Sequence, residues 1–242
     1  IGALTIGIII FIVILIAVVI FVLILRNRRK RVDVETEKVR DEYMDSVSEY
    51  LFDESGAEPA NLRTANTQKK RQILIDEIMQ LYANLSGEIS NKLRELYLDL
   101  DLDNDSVKKT KSPQWHIRAK GFRELAQMNI KTVNDEIERC LNSDNDVLRM
   151  EAQLAMVRLN YESPFSFLDR LEKPFTAWEQ LHVYEMIQRH QIPAPDFTRW
   201  LNSPNETVVL FCVRMIHAFK QVEATKRVVD LLGHKNKDIK NE

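Results

Sequence analysis

"SDNDVLRMEAQLAMVRL", residues 143–159, reads as the start and body of a helix, and sixty positions on the chain writes a near copy, "SPNETVVLFCVRMIHAF" (203–219). Leu148, Ala152, Ala155 and Leu159 of the first correspond to Val208, Cys212, Met215 and Phe219 of the second. Spacings of four, three and four put these side chains on one helical face. The repetition extends outward. Leu141, Leu171, Leu201 and Leu231 recur at a fixed step of thirty, and "LNS" stands at both 141–143 and 201–203. Upstream, "SPQWHIRAKGFRELAQM" (112–128) places Ile117 31 residues before Leu148, and downstream, "HKNKDIKNE" (234–242) places Ile239 31 residues after Val208. The copy around Trp178 is the least regular. The period predicts units of about thirty residues: a longer helix, a short turn, a second helix and a polar turn. Ser143, Asp144 and Ser203 are the expected N-caps. Such a unit cannot bury both its apolar faces alone, so stacking on neighbours is expected.

Before the repeats, residues 1–25, "IGALTIGIIIFIVILIAVVIFVLIL", carry no charge, and Thr5 is their one polar side chain. As a helix they would span roughly 37 Å, more than a ~30 Å hydrocarbon core, which predicts a transmembrane helix. The basic run that follows, Arg26, Arg28, Arg29, Lys30 and Arg31, predicts a single-pass inner-membrane topology with the C-terminal domain cytoplasmic. It also offers contact with anionic lipid. Residues 26–52 join this run to an amphipathic helix, on which Val39, Tyr43, Val47 and Tyr50 form the apolar stripe. Residues 53–70, polar and holding Gly56 and Pro59, read as a linker. Residues 71–111 read as a helical hairpin and loop with stripes Leu74, Ile78, Leu81, Leu85 and Ile89, Leu93, Leu96, Leu100, and 112–242 as the repeats.

Composition narrows the chemistry. A net charge of −2 gives no footprint for nucleic acid. Six scattered glycines leave no phosphate-binding loop and no nucleophile elbow. Cys140 and Cys212 form no C-x-x-C pair and read as buried thiols in a reducing compartment. "DLDLDNDS" (99–106) alternates Asp101, Asp103 and Asp105, but an EF-hand would need Gly at 106 and Glu at 112, where both residues are serine; a polar loop is expected. Glu179 and His182 have the spacing of a di-iron ligand pair, without the second Glu-x-x-His such a site needs. Lys108, Lys109 and Lys111 read as a solvated loop, and Trp115, Trp178 and Trp200 as core residues. Trp178, in the irregular copy, is the candidate partner-binding residue. No catalytic, cofactor-binding or metal-binding residue is expected.

The polar turn, apolar residue, Arg and small residue three on, as Leu148, Arg149, Ala152 and again Ile117, Arg118, Gly121, resemble the HEAT-repeat (armadillo-like) family, as do Ile239 and Lys240. Val209 departs from the pattern where an Arg should stand. The resemblance implies an all-α fold, here a single transmembrane helix followed by a HEAT-like α-α superhelix, in which the Arg side chains bond turn residues. With the N-terminal span, the chain looks similar to bacterial membrane-anchored HEAT-repeat proteins, which often occur beside membrane glycosyltransferases of envelope polysaccharide synthesis. That implies a non-enzymatic scaffold or accessory subunit with a membrane-protein partner. The alternatives are a HEAT-like enzyme with an unrecognised active site and a lipid- or nucleotide-sensing regulator.

Overall fold

The computed structural model describes residues 2–53, 59–160 and 162–242, and side chains from 14 onward apart from 25, 28–32, 54–58 and 161. Among the described residues every regular element is helical, and the chain divides into two compact units, Ile1–Leu100 and Asp101–Glu242.

In the first unit, α1 (Gly2–Phe52), α2 (Gln68–Asn84) and α3 (Glu88–Asp99) pack together. Tyr43, Val47, Tyr50 and Leu51 of α1 are buried, as are Leu74, Ile75 and Ile78 of α2 and Leu93, Leu96 and Tyr97 of α3. The stripe at period 3.6 supplies the hydrophobic free energy for this packing. The segment between α1 and α2 folds onto α1 where it is described. Leu62 and Ala65 are buried, and Asn61 Nδ2 donates to Ser46 Oγ. Thr67 then caps α2 by accepting from Lys70 N (3.3 Å). Arg40 Nε meets the buried Glu77 carboxylate at 2.7 Å.

The expected transmembrane helix over 1–25 is corrected: among the described residues no helix is long and apolar enough to cross a membrane. The described apolar side chains at 14–24 cover about 16 Å of axis, roughly half a hydrocarbon core. Side chains 1–13, on which the rest of the expected span falls, lie outside the described residues. The single-pass topology, the inner-membrane location and the membrane-embedded partner rested on that span and go with it.

The second unit holds α4 (Leu102–Thr110), α5 (Trp115–Gln127), α6 (Asn134–Glu138), α7 (Asp146–Leu159), α8 (Ala177–His190), α9 (Glu206–Ala218), α10 (Thr225–Asp230) and α11 (Lys237–Asn241). Helices α5, α7, α8, α9 and α11 begin at Trp115, Asp146, Ala177, Glu206 and Lys237, a near-constant step. The same turn precedes three of them. Ser112, Ser143 and Ser203 each accept, at 3.2 Å, the N–H two residues on, those of Gln114, Asn145 and Asn205. Asn145 and Asn205 then cap α7 and α9. The caps are therefore the asparagines; the expected caps Ser143 and Ser203 orient them from two residues behind, and Asp144 pairs instead with Lys173.

The HEAT-like superhelix of paired helices is also corrected. The second helix of the expected pair shrinks to the five-residue α6, to 3-10 turns at Ser166–Arg170 and Phe197–Trp200, and to the short α10. Pro164, Pro193 and Pro195 stand just ahead of the two 3-10 turns, where fixed φ and a missing N–H oppose a longer helix. The expected loop at 99–106 runs into α4, with Asp103 and Asp105 in its first turn, where carboxylates suit the helix dipole.

Candidate functional site

The candidate partner-binding residue, Trp178, lies in the first turn of α8. Thr176 caps this helix in a capping box: its Oγ1 accepts from Glu179 N (3.3 Å), and Glu179 Oε2 accepts from Thr176 N (2.7 Å). Glu179 is buried. Its Oε1 takes Arg149 Nε of α7 at 2.7 Å and Gln153 Nε2 at 3.4 Å. Arg149 also donates to the Ser143 carbonyl (2.8 Å) and to Asp146 Oδ1 (2.9 Å), which fixes α7, its entry turn and α8 to one another. Arg118 uses the same device one repeat earlier, donating to the Ser112 carbonyl at 3.2 Å.

This anchoring turns the next side chain outward. Trp178 is 62% exposed and Leu181, one turn on, 45%, although apolar residues at such positions usually face the core. His182 Nδ1 donates to the Trp178 carbonyl (3.0 Å), and its ring lies 4.3 Å from the indole centroid. The indole is thus held in place while its outer face meets solvent. Trp115 and Val147, in the first turns of α5 and α7, are 44% and 42% exposed. Trp200, by contrast, is buried and donates to Asp169 Oδ1 at 2.8 Å. Of the three tryptophans expected in the core, Trp200 alone is deeply buried.

The other sequence candidates have structural occupations. Glu179 spends both oxygens on internal bonds, which removes it as a ligand for metal beside His182. Among the described residues no group of three or more His, Cys, Asp and Glu could hold a metal ion. Lys109 turns inward, its Nζ 2.6 Å from the buried Glu124, so the run with Lys108 and Lys111 is not a continuous basic patch. Burial pushes the Cys212 thiol far above its ordinary range, and Cys140 is buried as well. The lipid-facing role of Arg26, Arg28, Arg29, Lys30 and Arg31 depended on the corrected span. Arg26 is exposed, and the other four side chains lie outside the described residues. A cleft of about 760 Å³ opens among the short segments of the second unit. Glu138 on its wall pairs with Arg170, and Asp169 with Arg199 at 2.7 Å, so three of its charged residues are engaged within the protein.

Residues that sequence reasoning missed are Leu181, Val147, Arg158 and Arg189. The signal was available: α7 and α8 are equally long and start at Asp146 and Ala177, so 147 matches 178 and 158 matches 189.

No family model matches the chain, and neither a curated protein nor a solved structure matches it. The HEAT family and the membrane-anchored bacterial group are accordingly withdrawn as identities. With them goes the scaffold role beside a glycosyltransferase, and the sensing alternatives gain no support. What stands is an all-α chain whose second unit repeats a helix start at near-constant intervals.

Proposed function

We propose that the second unit is a non-catalytic protein-binding module whose contact surface centres on Trp178 and Leu181. The observation that carries this reading is the fixed, 62% exposed indole. An aromatic anchor surrounded by rigid structure has the character of an interface hot spot. The buried carboxylates Glu124, Glu151 and Glu179 support the non-catalytic part, since each is held by a cation within the protein. The test is a photoreactive side chain at position 181, with an identical probe at exposed Val222 as control. Adducts from 181 that disappear in Trp178→Ala, with an unchanged circular dichroism melt, support the reading. Identical adducts from both positions, or adducts indifferent to Trp178, sink it.

A further inference from the structure

The outer face of α8 names the chemistry of the partner. Trp178, Leu181, Glu185 and Arg189 stand at i, i+3, i+7 and i+11, one helical stripe about 16 Å long. Trp178, Leu181 and Arg189 have like-natured counterparts at the matching positions of α7, Val147, Met150 and Arg158, while Leu154 stands opposite Glu185. The two helices are in contact, through Arg149 and Glu179 at their starts and again at the basic end, where Arg158 Nη1 lies 3.3 Å from His190 Nε2. Arg123, Leu154, Arg158 and Met186 line one small pocket of about 170 Å³ there, drawing in α5 as well.

The arginines differ in employment. Arg158 donates to the Gln127 carbonyl at 3.2 Å, and Arg123 pairs with the buried Glu151. Arg189 is exposed and, among the described residues, makes no hydrogen bond or ion pair, even with Glu185 one turn away. His190 is held below its ordinary range by burial and by Arg158 and Arg189, so the cationic groups are close enough to act on one ring. The surface therefore runs from an apolar end to a cationic end with an uncommitted guanidinium.

We propose that this face receives an amphipathic helix of an acidic partner protein, its apolar side chains against Trp178 and Leu181 and its carboxylates at Arg158 and Arg189. The inference rests on the protein-binding reading above and specifies the partner. The apolar end favours a helix over nucleic acid, and charge complementarity selects its sign.

Two synthetic amphipathic peptides of about five helical turns test it, with identical leucines and either glutamate or lysine on the polar flank. Binding to the full chain is read by fluorescence anisotropy. The glutamate peptide binds roughly tenfold more tightly than the lysine peptide, and the preference shrinks with added salt. Arg189→Glu reverses the preference, Glu185→Lys enlarges it, and both variants keep the parent's circular dichroism melt. Trp178→Ala weakens both peptides alike. Equal affinity for the two peptides, binding of neither, or a preference untouched by Arg189→Glu overturns the proposal. So does tighter binding of a single-stranded oligonucleotide at the same face. Should Trp178→Ala weaken binding while the charge variants do nothing, the acidic partner fails and the protein-binding reading survives. If Trp178→Ala changes nothing, both fail.

Discussion

Arg149 satisfies three partners from a buried position, and its charge is needed to offset that of Glu179. Removing one side of a buried pair leaves the other uncompensated, at a cost of about 3–5 kcal/mol. Arg149→Ala should lower the unfolding free energy in urea by that amount. The double variant Arg149→Met, Glu179→Gln should recover part of it; equal losses in the two would show that the charge left on Glu179 is not the cause. Gly121 is a second such position. A Cβ there would lie 2.9 Å from Lys109 Cβ, from the Ser106 carbonyl and from Thr110 N, so α4 and α5 approach only because none is present. Gly121→Ala should destabilise by about 1–3 kcal/mol despite the better helix propensity of alanine, since two of the three contacts are backbone. A Tm equal to the parent's would refute the close approach. Both positions stood out in the sequence, as the Arg and the small residue of the repeated pattern. Their partners did not, because pattern names a position on a helix and not the atoms across from it. Trp178 is the clearest instance: its helical stripe was visible, but its outward direction follows from the Thr176–Glu179 box that rotates α8.

The helices end as regularly as they begin. Asn129, Gln191 and Lys220 adopt left-handed φ of 55°, 49° and 54° after α5, α8 and α9. The following N–H groups of Ile130, Ile192 and Gln221 bond back to the carbonyls of Leu125, Ile187 and Ile216. These are Schellman ends, a position that favours glycine. Lys220→Gly should therefore stabilise the fold by about 1 kcal/mol, measured by urea denaturation. A loss instead would mean that the lysine side chain matters more than its backbone strain. The end of α8 also carries a pH dependence. Burial, Arg158 and Arg189 lower the His190 pKa in the fold. Such a histidine gives stability above the unfolded value of 6.5, and that stability is lost as pH falls below it and the unfolded chain takes up the proton. His190→Gln should flatten the fall of Tm over this range; an unaltered fall would assign it to another group. At this scale, helix starts were legible almost to the residue, since capping chemistry is local. The shortened second segments were less so. Their leucines keep the rhythm of the repeat, and the prolines beside them were outweighed by it.

Among the described residues the longest exposed apolar run is at 14–24, where each large side chain is about half exposed. A run of this kind, apolar on all sides, drives association in water. The full chain should elute as large aggregates in size-exclusion chromatography without detergent. A chain starting at Arg26 should elute as a single narrow peak with the same helical spectrum. Matching elution of the two would show that the run is covered in some other way. The all-α class follows from periodicity. The division between Leu100 and Asp101 was less legible, since it cuts through a stretch that reads as one hairpin and loop. There α4 joins α5 through the close approach at Gly121, a contact that no spacing announces. A family could not be read from the pattern either, because a regular rhythm of apolar positions is shared by chains with different short segments.

The bonds between successive helices of the second unit join residues one repeat apart: Arg149 to Glu179, Arg199 to Asp169, Asn236 to Glu206. To form each of them the chain need only close a loop of that length, which costs little entropy compared with pairing its distant ends. Low sequence separation of contacts brings fast folding, and order can then spread from one helix to the next. Helices α10 and α11 bury little: no side chain of α10 and only Ile239 of α11 is buried. Amide hydrogens should exchange soonest there and slowest in α7, whose two flanks are both occupied. The surface around Trp178 then sits on the helix packed against the one that opens least often, ready before any partner arrives.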